Sequence, residues 1–373
     1  MIATKKEFID SVVDEAVKIQ QIPAPTFDEK KRAEYVKKRF IEEGLQNVFI
    51  DSFHNVYSCR SGGGKGKAIL ISAHLDTVFP LETDLSVRNE NSRIYGPGIG
   101  DNSLAVACLI GLQRILNILN IELPGDLYII ANSCEEGLGD LKGIREVIKT
   151  IGDKITAIVA LEGSNGENLT YKGIGSKRYK VTVKSPGGHS WGDFGEESAV
   201  HLLVKLAAKL AALKVADSPK TTYNIGTING GVSVNTIAEE ANLLLDLRSE
   251  SKESLMKLLE QVEMIFKSFS SANSTLDYEI VGDRPVGELD SENSLVSIAK
   301  QIFSKYGIHN PDISPSSTDV NLPLSLGIPS ICVGLTEGGN IHRVNEYIEI
   351  EPFYKGFNRF VELIINISEK LNS

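Results

Sequence analysis

Short apolar runs alternate with helical segments along the first part of the chain, and this alternation most constrains the fold. The runs at 67–75, 126–133 and 155–161 have the length and apolar content of strands buried on both faces of a sheet. Apolar spacing predicts a helix over 102–119, between the first two runs. Such alternation is typical of a mostly parallel sheet covered by helices, so we expect an α/β domain.

The middle of the chain has a different order of elements. Residues 175–285 read as strand, helix, two strands, helix and strand, which is the βαββαβ arrangement of a ferredoxin-like antiparallel sheet. The α/β pattern then resumes, with an apolar strand at 329–335. The sequence therefore predicts one α/β domain in two parts, 1–174 and 286–373, around an inserted domain of residues 175–285.

Charge and composition exclude several classes of protein. The chain of 373 residues carries 39 Lys and Arg against 49 Asp and Glu, a net charge of −10. An acidic chain is poorly suited to nucleic acid or to an anionic membrane. We expect no signal peptide and no run long enough to span a bilayer. The four cysteines form no C-x-x-C pair, which favours free thiols in a cytoplasmic protein.

Imidazoles and carboxylates follow the apolar strands or open a helix at five places. In an open parallel sheet, the carboxyl ends of the strands meet at one edge, where ligands bind. So many acids at one edge are costly unless a cation neutralises them. The sequence therefore predicts a metal site at that edge, formed by His74, Asp76, Asp101, Glu135, Glu136, Glu162 and His342.

The number of these groups indicates two metal ions. Two imidazoles and three carboxylates suffice for two tetrahedral-type ions that share one carboxylate and one water. Paired metals in hydrolases lie about 3.5–4 Å apart, a gap that one carboxylate can bridge. Asp101 is the best candidate for this bridge, because glycines fix it at the start of a helix.

Six motifs in order resemble the M20 family of zinc peptidases and deacylases: H-L-D, G-I-G-D-N, C-E-E-G, L-E-G, P-G-G-H-S and G-G-x-x-H. That family includes peptidase T-like tripeptidases, glutamate carboxypeptidases, acetylornithine deacetylase and succinyl-diaminopimelate desuccinylase. The resemblance covers essentially the whole chain. It implies a zinc-peptidase catalytic domain with an inserted lid and dimerisation domain, and a substrate that is a small peptide or an N-acyl amino acid.

The resemblance also implies the ligands of two divalent ions, most often Zn²⁺, with Co²⁺ or Mn²⁺ as alternatives. His74, Asp101 and Glu162 would hold one ion. Asp101, Glu136 and His342 would hold the other.

Further roles follow from the same motifs. Glu135 would be the general base, which takes a proton from the metal-bridging water and returns it to the leaving nitrogen. Asp76 would hydrogen-bond the far nitrogen of His74 and fix its tautomer. The Asp101–Asn102 peptide bond would be cis.

The inserted domain would supply substrate contacts. The resemblance implies that His189 reaches the site of a partner subunit and holds the developing oxyanion, which requires a homodimer. Asn235 and Arg248 match lid positions that contact substrate. Gly338 and Gly339 would let the main chain approach the substrate.

Several alternatives stay open. Ser103 stands where deacylases commonly carry lysine, so the substrate is either a peptide, as for a di- or tripeptidase or aminopeptidase, or an N-acyl amino acid. A protein that binds peptide without cleaving it would not need Glu135 as a base. An NAD-dependent oxidoreductase would need an opening strand followed by a particular glycine spacing, and this sequence has neither. Simple structural roles compete as well: a turn for His189, a surface ion pair for Arg248, and core histidines for His54, His201 and His309.

Overall fold

The computed structural model describes residues 4–64 and 66–371, in two compact units. The first unit is formed by the chain up to Gly173 and from Gly287 onward, and the second by Ile174–Val286. The helices are α1 Lys6–Gln20, α2 Lys30–Glu42, α3 Leu104–Ile118, α4 Lys142–Ile151, α5 Ala199–Ala211, α6 Lys252–Lys267, α7 Ser294–Lys305, α8 Asn321–Ser325 and α9 Ile350–Lys370.

The strands of the first unit are β1 Gln46–Ile50, β2 Val56–Arg60, β3 Ala68–His74, β4 Arg88–Glu90, β5 Arg93–Tyr95, β6 Leu127–Asn132, β7 Ile155–Glu162, β8 Leu169–Thr170, β9 Lys172–Gly173, β16 Gly287–Glu288, β17 Ser330–Gly334, β18 Gly338–Gly339 and β19 Tyr347–Glu349. Those of the second unit are β10 Gly175–Lys184, β11 Gly188–His189, β12 Thr221–Gly230, β13 Thr236–Ile237, β14 Glu240–Ser249 and β15 Thr275–Arg284.

A seven-stranded mixed sheet forms the centre of the first unit, in the order β1-β2-β6-β3-β7-β17-β8. The central strands β6, β3, β7 and β17 are parallel, and the flanking pairings are antiparallel. The predicted α/β fold is thus confirmed, with the parallel part confined to the middle. His74 lies opposite Asn132, and Gly334 lies opposite Glu162, so these residues end their strands at the same edge.

Helix α3 lies in the core of this unit, with almost every side chain buried. Gly111 permits its close packing, because a Cβ there would lie 2.8 Å from Val12 of α1 and 3.2 Å from Phe357 of α9. By length and apolar content, Ile99–Ile118 is long enough to cross a membrane, which corrects the expectation of no such run. Its most apolar 18-residue window is 89% buried inside the protein, as in a core helix.

The second unit confirms the βαββαβ order. Its main sheet has the antiparallel order β12-β14-β10-β15, and β11 and β13 form a separate short ribbon. Apolar residues of α5 and α6, such as Leu203 and Leu258, are buried in one cluster with Val181 and Leu245 of the sheet. Ser251 caps α6, because its hydroxyl accepts a hydrogen bond from the Ser254 N–H at 3.3 Å.

Candidate metal centre

Residues that are distant in sequence meet at the carboxyl edge of the parallel strands. They come from the ends of β3 and β7, the segment after β6, the turn before α3 and the loop after β18. Three groups of ligand atoms each lie within 4.8 Å of one another: His74 with Glu135 and Glu136; His74 with Asp101 and Glu162; and Asp101 with Glu136 and His342.

The carboxylate of Asp101 lies between the two imidazoles. One oxygen is 3.0 Å from Nε2 of His74, and the other is 3.1 Å from Nε2 of His342. The Glu136 carboxylate lies 3.0 Å from His342 Nε2, and that of Glu162 lies 3.9 Å from His74 Nε2. Two ligand groups therefore share Asp101, as a bridge between two cations requires.

The electrostatics of the centre show a surplus of negative charge. Burial, reinforced by the charge of Asp101, raises the pKa of Glu136 and of Glu162 to about 7. Hydrogen bonding to Asp101 and Glu136 raises the pKa of His342 to about 10. Burial opposes ionisation of Asp101, but hydrogen bonds from both imidazoles lower its pKa below the ordinary value. Buried carboxylates whose pKa values are raised in this way would be stabilised by a bound cation. The nitrogen and oxygen donors suit a divalent metal.

Asp76 supports the centre through both its main-chain carbonyl and its carboxylate. Its carboxylate lies 3.7 Å from Nδ1 of His74, beyond hydrogen-bond range, and Nδ1 instead contacts the Asp76 main-chain carbonyl at 3.0 Å. The carboxylate accepts the N–H groups of Glu135 and Glu136, both at 2.9 Å, and the hydroxyl of Thr26 at 2.9 Å. Asp76 therefore fixes the main chain of both glutamates.

Glu135 is buried beside the ligand groups. The residue before it, Cys134, has a φ of 55°, in the left-handed region that non-glycine residues rarely adopt. This local turn directs the chain from β6 toward the ligand edge, and it places two consecutive glutamates there.

A buried carboxylate that the sequence analysis missed holds the turn before α3. Glu346 accepts hydrogen bonds from the N–H groups of Gly98 at 3.1 Å, Gly100 at 2.7 Å and Asp101 at 2.8 Å. Burial and the charge of Asp101 raise its pKa to about 8. The Asp101–Asn102 peptide bond is cis, as the resemblance implied. No sequence motif marks Glu346, whose partners lie about 245 residues earlier.

Asp319 is a second missed acid. It is 4% exposed, and it accepts a hydrogen bond from the Asn132 amide at 2.8 Å. Burial, followed by the charge of Glu135, raises its pKa to about 8. In the sequence, the only sign of a role for Asp319 is its position just before the apolar stretch of α8.

His189 lies in the short ribbon of the second unit, where its side chain is exposed. Its main-chain N–H donates to Asp193 at 2.7 Å, and its Nδ1 accepts the N–H groups of Trp191 and Gly192 at 3.2 and 3.1 Å. Because Nδ1 is the acceptor, the neutral ring carries its proton on Nε2.

Two other predicted substrate residues belong to the second unit. The main-chain carbonyl of Asn235 accepts from Ser190, next to His189, at 3.1 Å. The Arg248 guanidinium donates to Asp246 at 2.6 Å, so the ion pair with a neighbouring acid is present.

Gly338 and Gly339 have a packing reason to be glycine. A Cβ on Gly338 would lie 2.7 Å from the carbonyl oxygen of Tyr347, and one on Gly339 would lie 2.8 Å from the Tyr347 ring. Close packing against Tyr347 is thus a sufficient reason for glycine at both positions, separate from the predicted approach to substrate.

The remaining histidines are not core residues, which corrects that expectation. His201 and His309 are exposed, and His309 contacts the Ser304 hydroxyl at 2.9 Å. His54 is partly exposed, 3.8 Å from the carboxylate of Glu29.

Comparison with known proteins identifies the family of the chain. Residues 70–366 match peptidase family M20/M25/M40. Succinyl-diaminopimelate desuccinylase of Corynebacterium glutamicum is 25% identical over 345 residues, which cover 90% of each chain. The solved structure of a Staphylococcus aureus tripeptidase superposes with a TM-score of 0.79 at 19% identity and covers 97% of this chain and 99% of its own.

A third similar protein is a Bacillus subtilis protein described as a dinuclear metal-binding peptidase of family M20. Its structure superposes with a TM-score of 0.70 at 17% identity and covers 98% of this chain and 99% of its own. The family match spans well over half of the chain. The chain therefore belongs to peptidase family M20/M25/M40 and is a hydrolase that acts on amide bonds.

Proposed function

We propose that this protein is a dinuclear zinc-dependent hydrolase that cleaves an amide bond in a small peptide, as a di- or tripeptidase or an aminopeptidase does. The observation that carries the proposal is the Asp101 carboxylate, whose two oxygens face His74 and His342 at 3.0 and 3.1 Å. Zinc suits the imidazole and carboxylate donors, and Co²⁺ or Mn²⁺ would bind the same set.

Five side chains would hold the two ions: His74, Asp101 and Glu162 one, and Asp101, Glu136 and His342 the other. Bound there, divalent ions lower the pKa of water and polarise the scissile carbonyl. Asp76 orients His74 and both glutamates through main-chain contacts.

Glu135 is the proposed general base. It takes a proton from the attacking water at its carboxylate and delivers that proton to the leaving nitrogen, so that an amine departs as the C–N bond breaks. In the second unit, His189 would donate from Nε2 to the oxyanion of a partner subunit in a homodimer. Asn235 and Arg248 would bind the rest of the substrate, and Arg248 suits a carboxylate.

An N-acyl-amino-acid deacylase is the second candidate. The desuccinylase relative, 25% identical over 90% of both chains, favours it. The amide bond and the catalytic groups are the same in both cases, so only the substrate distinguishes them. The buried, free cysteines favour a cytoplasmic location for either activity.

A substrate panel with metal analysis tests both functions. We expect the zinc-loaded protein to hydrolyse di- and tripeptides, and Glu135→Gln to abolish turnover while it retains two metal ions per chain. Glu146→Gln, which alters a partly exposed acid on α4 that pairs with Lys149, is the matched control and should keep full activity. Turnover of acetyl- or succinyl-amino acids alone would establish the deacylase instead. Full metal occupancy without any turnover would refute both.

A further inference from the structure

Three side chains from the first turn of α2 and the segment before it contact the turns that carry the centre. They are Thr26, Glu29 and Arg32, which we call the positioning brace. All three precede residue 70, where the match to the family begins. Their hydrogen bonds include main-chain groups and the Asp76 carboxylate, next to residues of the centre.

Glu29 holds the turn before the proposed base. Its side chain is fully buried, and Oε1 accepts the N–H groups of Cys134 at 3.1 Å and Phe27 at 3.0 Å. Cys134 adopts the left-handed backbone immediately before Glu135. Such a conformation is unfavourable for a non-glycine residue and persists only where its surroundings enforce it. The Glu29 carboxylate supplies one such constraint.

Arg32 holds the turn after β3. Its Nη1 donates to the Leu75 carbonyl at 2.7 Å, and its Nε and Nη2 donate to the Ile22 carbonyl at 3.0 and 2.7 Å. Leu75 lies between His74 and Asp76. The guanidinium therefore ties the start of this segment to the two residues that flank Leu75.

Thr26 completes the set. Its hydroxyl donates to Asp76 Oδ2 at 2.9 Å, the same oxygen that accepts the Glu136 N–H. The Thr77 N–H donates to the Ala24 carbonyl at 2.9 Å, so the main chains of the two segments are joined there as well.

Charge burial gives a reason to regard the brace as more than structural support. Glu29, Arg32 and Asp76 are almost fully buried, and burial lowers the pKa of Arg32 to about 10, so it stays protonated at neutral pH. Apolar residues of similar volume in place of buried ionic groups are often neutral or stabilising. These charges satisfy main-chain groups of the turns, so their geometry fits precise placement of those turns.

We propose that Thr26, Glu29 and Arg32 are positioning residues for amide hydrolysis, which set Glu135 relative to His74 by fixing the turns at Cys134 and Leu75. The brace acts through the Glu135 turn, so this inference rests on the proposed function. The brace contacts main-chain groups that lead into the centre. Removal of a brace side chain should therefore lower kcat more than it changes KM.

The test compares Glu29→Leu with Glu29→Gln. The glutamine keeps an acceptor for the Cys134 N–H, and the leucine has none. We expect Glu29→Leu to lower kcat about tenfold to a hundredfold, the usual effect of removing such a partner, with KM within twofold and the metal content unchanged. Glu29→Gln should restore most of kcat. Glu34→Leu, on the exposed face of α2, is the matched control and should leave kcat unchanged.

The outcomes separate the brace from the proposed function. Wild-type kcat in a folded Glu29→Leu variant, or equal losses in the leucine and glutamine variants, would overturn the brace and leave the function standing. Absence of metal-dependent turnover in the wild type would refute the function itself. Should Glu29→Leu fail to fold, Thr26→Val decides. Valine has nearly the same shape as threonine and lacks only the hydroxyl. A loss of kcat at constant KM in this variant supports the brace, and an unchanged kcat overturns it.

Discussion

Asn102 holds the main chain on both sides of Glu162. Its amide nitrogen donates to the Leu161 carbonyl at 2.8 Å, and its amide oxygen accepts the Gly163 N–H at 2.9 Å. One donor and one acceptor on the same side chain match the two main-chain groups, and Asn102 is fully buried. The main chain that carries the Glu162 side chain is therefore fixed next to His74.

Asn102→Asp tests this relationship. The second carboxylate oxygen would face the Leu161 carbonyl, so this hydrogen bond would become a repulsion while the bond from the Gly163 N–H could persist, and the main chain at Glu162 would shift. We expect the metal affinity to fall about tenfold to a hundredfold, measured by calorimetric titration of the metal-free protein. Asn358→Ala removes an asparagine with a similar pair of main-chain bonds on α9 and should not change the affinity. Equal affinity in Asn102→Asp and wild type would contradict the assignment.

Asp76→Asn should impair catalysis although Asp76 is not among the proposed metal ligands. One oxygen becomes an amide group that faces a main-chain N–H of Glu135 or Glu136, and a buried N–H without an acceptor costs about 1–3 kcal/mol. We expect kcat to fall at least tenfold, measured by initial rates at saturating metal. Asp312→Asn alters a similar acceptor in an exposed loop and serves as the control. A wild-type kcat for Asp76→Asn would show that these bonds do not matter for the chemistry.

The sequence could predict the centre because strand ends are encoded locally. A buried strand is recognisable from its apolar run, and the polar residue that ends it, such as His74 or Glu162, is adjacent in the chain. Parallel pairing then brings these ends to one edge without further information. The βαββαβ insertion was recognisable for the same reason, since each element is a continuous stretch with its own periodicity.

What the sequence could not show is which distant side chain holds which turn. Glu346 and Asp319 are single acids in ordinary loops, and their partners at Asp101 and Asn132 are fixed by the tertiary fold alone. The contacts of Asp76 beyond His74 could not be seen for a related reason. Its proximity to His74 was evident, but its orientation toward the Glu135 turn depends on the β3–β6 pairing.

Metal binding should release protons, and the affinity should rise with pH. In the metal-free centre the pKa values of Glu136 and Glu162 are about 7 and that of His342 is about 10, so these groups carry protons below those values. A metal ion must displace them. Between pH 6 and 8 the glutamates lose theirs, so fewer protons are released and the affinity rises. Calorimetry in buffers of different ionisation enthalpy measures the release; no proton release and a flat affinity over this range would contradict the prediction.

Gly356→Ala should destabilise the first unit, although alanine is the better helix former. At an exposed position inside a helix, this change would raise the free energy of unfolding by about 1 kcal/mol. Gly356, however, lies within α9 at the point where a Cβ would be 1.7 Å from the Leu335 carbonyl oxygen. The helix must move away from the segment that follows β17, and overpacking of this kind costs about 1–3 kcal/mol or more. Denaturant unfolding measures the loss.

Lys355→Ala, at an exposed neighbouring position of the same helix, is the control and should change the free energy of unfolding by no more than about 0.5 kcal/mol. The displaced segment continues from Leu335 to β18 and His342, so Gly356→Ala should also weaken metal binding while Lys355→Ala does not. A Gly356→Ala protein as stable as the wild type would show that α9 can withdraw from Leu335 without cost, and the close contact would then not determine the position of the His342 loop.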